Sequence, residues 1–287
     1  GLAQAVLKHT IGYVDAPLLS TPTLASRSAA YQFDLAQLQN LSKSEKAQRV
    51  LIVQDPFTSF YDAEVVYDFM QLVEKLGFKP VVLPFHPNGK PQHVKGFLDK
   101  FAVTAKHTAD FLNQVAELEI PMVGVDASLL LVYRDEYTKT LGTQRGDFAV
   151  LAVHEWLARF AQEGLFAHAV SETSSAPAPF ALLTHCTEKT ALPTSEKQWQ
   201  QIFSQVGLQL DIVSVGCCGM AGTYGHELAH YDNAKGIYEL SWRNALSKYQ
   251  ESQWAVSGYS CRSQVARFEG TKPKHPLQLL NSQLAPK

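Results

Sequence analysis

Apolar residues in this chain gather into short β-branched runs separated by longer stretches with helical spacing. Val50-Leu51-Ile52-Val53 has no polar break, the pattern of a strand buried on both faces of a parallel sheet. Residues 63–76 put Val66, Phe69, Met70 and Val73 on one helical face, and Gly77 stands where a C-cap glycine ends such a helix. Pro80-Val81-Val82-Leu83 reads as the next strand, 94–117 as a long helix, and Met122-Val123-Gly124-Val125 as a third strand. Strand and helix in alternation predict an open α/β sheet.

The same order returns further on. Residues 180–184 read as a strand, 196–206 as a helix ended by Gly207, 211–215 as a strand, 226–248 as a long helix and 254–256 as a last strand. Gly77 and Gly207, Val82 and Ile212, and Val125 and Gly258 mark the two halves at a near-constant offset. The expected architecture is therefore two similar open parallel-sheet α/β units in tandem, 46–145 and 146–287. Between them 147–162 reads as a helix and 171–179 as a loop. Residues 1–45 carry one helix-like stretch, 2–13, then a Ser/Thr/Pro/Ala-rich passage, and are expected to form an arm that packs onto something else.

Composition narrows the function. Of 287 residues 46% are apolar and 18% charged, enough to bury a sizeable core. The net charge of −2 gives no electrostatic reason to expect a nucleic-acid partner. No apolar run reaches the roughly 18 residues that a membrane-spanning helix needs. No signal peptide is recognisable, and the chain opens on Gly1, which suggests a fragment. All four cysteines follow residue 185, and two are adjacent. Such clustering points to ligation or redox chemistry in a reducing cytoplasm rather than to structural pairing.

Each cysteine comes just after a predicted strand: Cys186 after 180–184, Cys217 and Cys218 after 211–215, Cys261 after 254–256. In a parallel sheet those positions gather at the carboxyl edge, where such folds place their sites. A lone buried cysteine is usually a core residue; four at strand ends, followed by Gly219, Gly222 and Gly225, point to a metal centre. The glycines allow the sharp turn that brings neighbouring thiols to one centre and let backbone N–H groups approach sulfur. Adjacent thiolates suit a cluster of several irons better than one tetrahedral zinc. His226-Glu227-Leu228-Ala229-His230 fits H-E-x-x-H, but Asn233 and Gly236 break the longer zinc-protease pattern. His226 is expected instead beside the cluster, with Gly219 and Gly222.

The stretch Gly216-Cys217-Cys218-Gly219-Met220-Ala221-Gly222 resembles the signature of the cysteine-rich CCG domain. That domain occurs in heterodisulfide reductase, in the iron–sulfur subunit of glycolate oxidase, and at the C-terminus of long FAD-linked D-2-hydroxy-acid dehydrogenases. Thr184-His185-Cys186, the run from Gly222 to Glu227 and the run from Gly258 to Gln264 are most similar to the last group. The resemblance implies an iron–sulfur electron-transfer domain of an oxidoreductase. Its partners would be FAD and ferredoxin-type domains and a downstream electron acceptor, in the cytoplasm or peripherally at the inner membrane. No flavin motif, ferredoxin cysteine run or nucleotide loop occurs here, so this chain alone is not expected to oxidise substrate.

Two departures from that pattern shape the expectation. The pattern ends in C-x-x-C, but Gly258 holds the first of those positions. Four cysteines favour an ordinary [4Fe–4S] cluster on Cys186, Cys217, Cys218 and Cys261. The first unit has none; Asp55, Phe85-His86 and Ser128 stand where the repeat would place them, and no metal is expected there. The alternative reading is a zinc-bound structural or docking module using the same four thiolates.

Overall fold

The computed structural model describes residues 10, 12–163, 166 and 178–284. The helix expected over 2–13 and the loop over 171–179 lie largely outside the described residues. The chain is α/β, with two parallel sheets. Strands β1 (Arg49–Val53), β2 (Lys79–Val82), β3 (Met122–Gly124) and β4 (Val150–Ala152) form the first, in the order β2-β1-β3-β4. Strands β5 (Phe180–Leu183), β6 (Leu210–Ile212) and β7 (Trp254–Val256) form the second, in the order β6-β5-β7. In each sheet the first strand in sequence is flanked by the second and third, so the crevice at the carboxyl edge opens between first and third.

Strand alternation divides the core. Val50 and Ile52 join Phe69, Trp156, Leu182, Trp199, Phe203 and Leu280 in one apolar cluster shared by both sheets. Leu51 and Val53 face a second cluster with Phe101, Leu112 and Tyr137. Ala181, Leu183 and Val256 face a third, which contains Cys218, Met220, Trp242 and Cys261. Helix α1 (Ala63–Lys75) packs against α2 (Pro276–Gln283), and Asp68 accepts from Gln278 Nε2 at 2.7 Å and Asn281 Nδ2 at 3.0 Å.

Four expectations are corrected. The helix expected over 94–117 begins only at Leu98 and runs to Ala116; Val94 closes a separate short helix, Lys90–Val94, and Gly96 at φ +78° lies between the two. The helix over 147–162 begins only at Val153; before it, the three-residue β4 pairs with β3, so the first sheet runs past residue 145. The strand expected over 211–215 is only Leu210–Ile212, after which the chain leaves the sheet.

The helix over 226–248 does not form as one rod. Tyr224–His226 and Leu228–His230 are 3₁₀ turns, followed by helices Tyr231–Glu239 and Trp242–Leu246. The cause lies in the arm. Val14 N–H donates to the His226 carbonyl and Leu228 N–H to the Gly12 carbonyl, both at 2.6 Å, so Glu227 is held extended at ψ 128°. Among the described residues the arm thus packs on its own chain; Gln32 also bridges Val82 at the edge of the first sheet.

Candidate metal centre

The carboxyl edges of the two sheets face each other. Asp126, just past β3, accepts the backbone N–H of Tyr259, just past β7, at 3.0 Å. Asp62 takes both Nε and Nη2 of the buried Arg262, at 3.2 and 2.9 Å, and Lys272 Nζ at 2.7 Å. Arg262 also donates from Nη1 to the Val256 and Ser257 carbonyls at 3.1 and 2.8 Å, which ties the end of β7 to the first unit.

All four cysteines lie at this edge. Cys186 opens helix Cys186–Ala191 after β5, and Cys261 is in the first turn of helix Tyr259–Glu269 after β7. Cys217 and Cys218 lie in the loop after β6. That loop is pinned by the Gly216 N–H on Ser241 Oγ at 3.1 Å and by Trp242 Nε1 on the Gly216 carbonyl at 3.0 Å. Gly219 turns it at φ +84°, and a Cβ there would lie 2.3 Å from the Ala234 carbonyl oxygen, so no other residue fits.

The thiols form a contact chain: Cys186 with Cys217, Cys217 with Cys218, and Cys218 with Cys261. None is in a disulfide; Cys186 and Cys217 are exposed, Cys218 and Cys261 buried. Hydrogen bonds from Cys186 and Cys218 push the Cys217 thiol well down, with a smaller contribution from the Gly219 N–H at 3.4 Å. The same hydrogen bonds push Cys186 and Cys218 up. Among the described residues no group of three or more His, Cys, Asp or Glu side chains is arranged to hold a metal ion. The donor set itself is four sulfurs with a backbone N–H aimed at one of them, which suits thiolate-bound iron–sulfur or zinc.

Several neighbours were not singled out from sequence. His185 caps the Cys186 helix by accepting the Thr187 N–H on Nδ1 at 3.1 Å, and its own N–H donates to Ser257 Oγ at 3.1 Å. Ser257 in turn donates to Glu188 at 2.6 Å, and Trp199 Nε1 reaches the other Glu188 oxygen at 3.2 Å. Burial pushes the Glu188 carboxyl up to about 7 and His154 down to about 4, so their 3.6 Å contact is not an ion pair at neutral pH. The signal for His185 was its place directly before Cys186; nothing local marks Glu188 or Ser257.

His226 makes its contacts with the arm and with Arg267. Its Nδ1 is 3.1 Å from the Val14 carbonyl and 2.7 Å from Arg267 Nη2, and Tyr13 stacks on its ring. Gly222, at φ +69°, lines a cavity with it. With His226 and His230 on separate 3₁₀ turns, the H-E-x-x-H helix is absent. In the first unit Asp55 caps a short helix through the Phe57 and Thr58 N–H groups, and Ser128 bonds Asp126. His86 stacks on Phe111 at 3.9 Å.

These features define an α/β chain whose second parallel sheet carries four thiols at its carboxyl edge. No family model matches the chain. It is similar to the D-2-hydroxyglutarate dehydrogenases of Pantoea ananatis, 54% identical over 281 residues, and Escherichia coli K12, 54% over 282. Each comparison covers 97% of this chain and 27% of the relative, so the chain spans about a quarter of the length of these relatives. A more distant likeness, 24% identical over 206 residues, is to one subunit of the anaerobic glycerol-3-phosphate dehydrogenase of Escherichia coli K12. It covers 69% of this chain and 49% of that protein.

Proposed function

We propose that this chain is the C-terminal iron–sulfur electron-transfer part of a longer FAD-linked dehydrogenase that oxidises a D-2-hydroxy acid of the 2-hydroxyglutarate class. The observation that carries the reading is the meeting of Cys186, Cys217, Cys218 and Cys261 at one sheet edge. The dehydrogenases to which the chain is similar supply the substrate class. A [4Fe–4S] cluster on the four thiolates stores and releases single electrons when bound. The chain's own residues do the rest. Gly219 N–H stabilises negative charge on Cys217, Cys218 and Cys261 lie in the apolar third core, and Cys186 and Cys217 face the exposed side.

Residues 1–45 serve as the arm, 46–152 as a scaffold unit of CCG type without its own metal, its sheet ending in β4, and the rest of the chain as the unit that binds the cluster. The shared order of each sheet's first three strands supports a tandem repeat. Among the described residues no helix is long and apolar enough to cross a membrane. A place in the cytoplasm, or peripherally at the inner membrane, accords with that.

The test uses the longer dehydrogenase. With Cys217→Ser, the hydroxy acid should still reduce the flavin, while electron delivery to the downstream acceptor should fall at least tenfold. Equal turnover with the natural acceptor in variant and wild type would overturn the electron-transfer role. A zinc module would show no visible absorbance and zinc near one per chain in place of iron.

A further inference from the structure

A cavity of about 190 Å³ is walled in part by the segments that carry Cys218 and Cys261. The first unit contributes Phe57 and Tyr61, the second Met220, Gly222, Thr223, His226 and Tyr259, and the arm Tyr13. Met220 is two residues past Cys218, and Ser260, also in the wall, precedes Cys261. Two stacked pairs contribute their rings: Phe57 with Tyr259 at 4.9 Å and 23°, and Tyr13 with His226 at 5.3 Å and 24°.

The lining selects a chemical class. None of the described residues that form it is Asp, Glu, Lys or Arg. His226 is held below the ordinary histidine range by burial and by the Arg267 guanidinium beside it, so it is neutral near pH 7. An anion such as a hydroxy acid would lose its hydration here with no cation in the lining to replace it. A flat apolar ring, by contrast, finds aromatic faces to stack on. The hydroxyl groups of Thr223, Ser260 and Ser263 can donate to carbonyl oxygens on the ring's edge. The volume is below the roughly 300 Å³ at which drug-sized pockets begin, so it admits a ring nucleus and little more.

We infer that this cavity binds the ring of a neutral planar quinone. As an electron-acceptor site it rests on the electron-transfer reading above; as a binding site it does not. Oxidation of a 2-hydroxy acid to the 2-oxo acid releases two electrons and two protons, and reduction of a quinone to the hydroquinone consumes two of each. The exchange therefore balances with no further reactant.

The probe is duroquinone, whose fully methylated ring leaves no open position for addition of the exposed thiols. Binding is read on the purified chain by saturation-transfer NMR and tyrosine fluorescence, with 2,3,5,6-tetramethylbenzoate as the charged analogue. Duroquinone should bind with little dependence on salt, and the benzoate at least tenfold more weakly. Ser263→Trp, which fills the cavity, and Tyr61→Ala, which opens its wall, should each weaken binding at least tenfold. Circular dichroism and melting temperature confirm that each variant is folded, and an unfolded one is replaced by Thr223→Trp. Binding unchanged in the folded variants, or equal affinity for the benzoate, would overturn the assignment. Iron content and electron delivery are measured separately, so the cavity can fail while the cluster stands, and the reverse.

Discussion

The imidazole of His185 occupies the space beside Gly258: a Cβ at position 258 would lie 2.3 Å from His185 Cδ2 and 2.8 Å from its Cβ. Gly258 itself has an ordinary extended backbone, φ −88° and ψ 137°, so the requirement for glycine is purely steric. Any side chain at position 258 would meet the same clash.

Gly258→Ala should therefore cost about 1–3 kcal/mol by overpacking. In the double variant with His185→Ala the ring contacts disappear while the 2.8 Å contact with the Cβ of residue 185 stays, so the cost of Gly258→Ala should fall without vanishing. Urea denaturation of the four members of the cycle measures the coupling. Additive losses, with no coupling beyond about 0.5 kcal/mol, would show that the two side chains do not compete for one space.

Gly219→Ala combines two penalties, an αL backbone at φ +84° and a Cβ 2.3 Å from the Ala234 carbonyl. Backbone strain of that kind alone costs about 1–3 kcal/mol. The loop must move to relieve the clash, and it carries Cys217 and Cys218. The expected result is a lower melting temperature together with faster alkylation of Cys218 by iodoacetamide. Gly222→Ala serves as the comparison, because a Cβ there meets nothing within 4 Å and only the φ of +69° is strained. Equal effects in the two variants would contradict the special role of the Gly219 contact.

Asp62 joins the units through Arg262 and Lys272. Burial would raise its carboxyl, but the two cations outweigh burial and hold it below the usual carboxylate range. A depressed native pKa contributes stability that is fully present above the unfolded value, about 3.9, and is lost as pH falls through the native value. Asp62→Asn leaves Arg262 buried without its carboxylate and should cost about 3–5 kcal/mol at pH 7. The gap between wild type and variant should narrow below pH 4. A gap that stays constant between pH 7 and pH 3 in denaturant titrations would refute the ion-pair account.

Much of this was legible in the chain. The short apolar runs at 50–53 and 180–183 became central strands, buried on both faces as their lack of a polar break suggested. The cysteines met at one edge because strand ends in a parallel sheet must. What escaped was non-local or too short. Val150–Ala152 runs straight into the helix at Val153 with no turn residue between them, so strand and helix read as one. The break at Glu227 comes from Gly12 and Val14, more than 200 residues earlier, and no window around the site contains it. The His185–Gly258 packing joins two positions whose proximity only the fold creates.

The central claim is the iron–sulfur centre, and metal content tests it most directly. The chain is purified and reconstituted anaerobically, then assayed for iron, acid-labile sulfide and zinc, with visible and EPR spectra before and after dithionite. The expected result is a brown protein with about four irons and four sulfides per chain and a signal on reduction. Cys217→Ser and Cys218→Ser should each abolish the colour and leave the fold intact. A colourless protein with zinc near one per chain, or iron bound equally well without Cys217 and Cys218, would contradict the account.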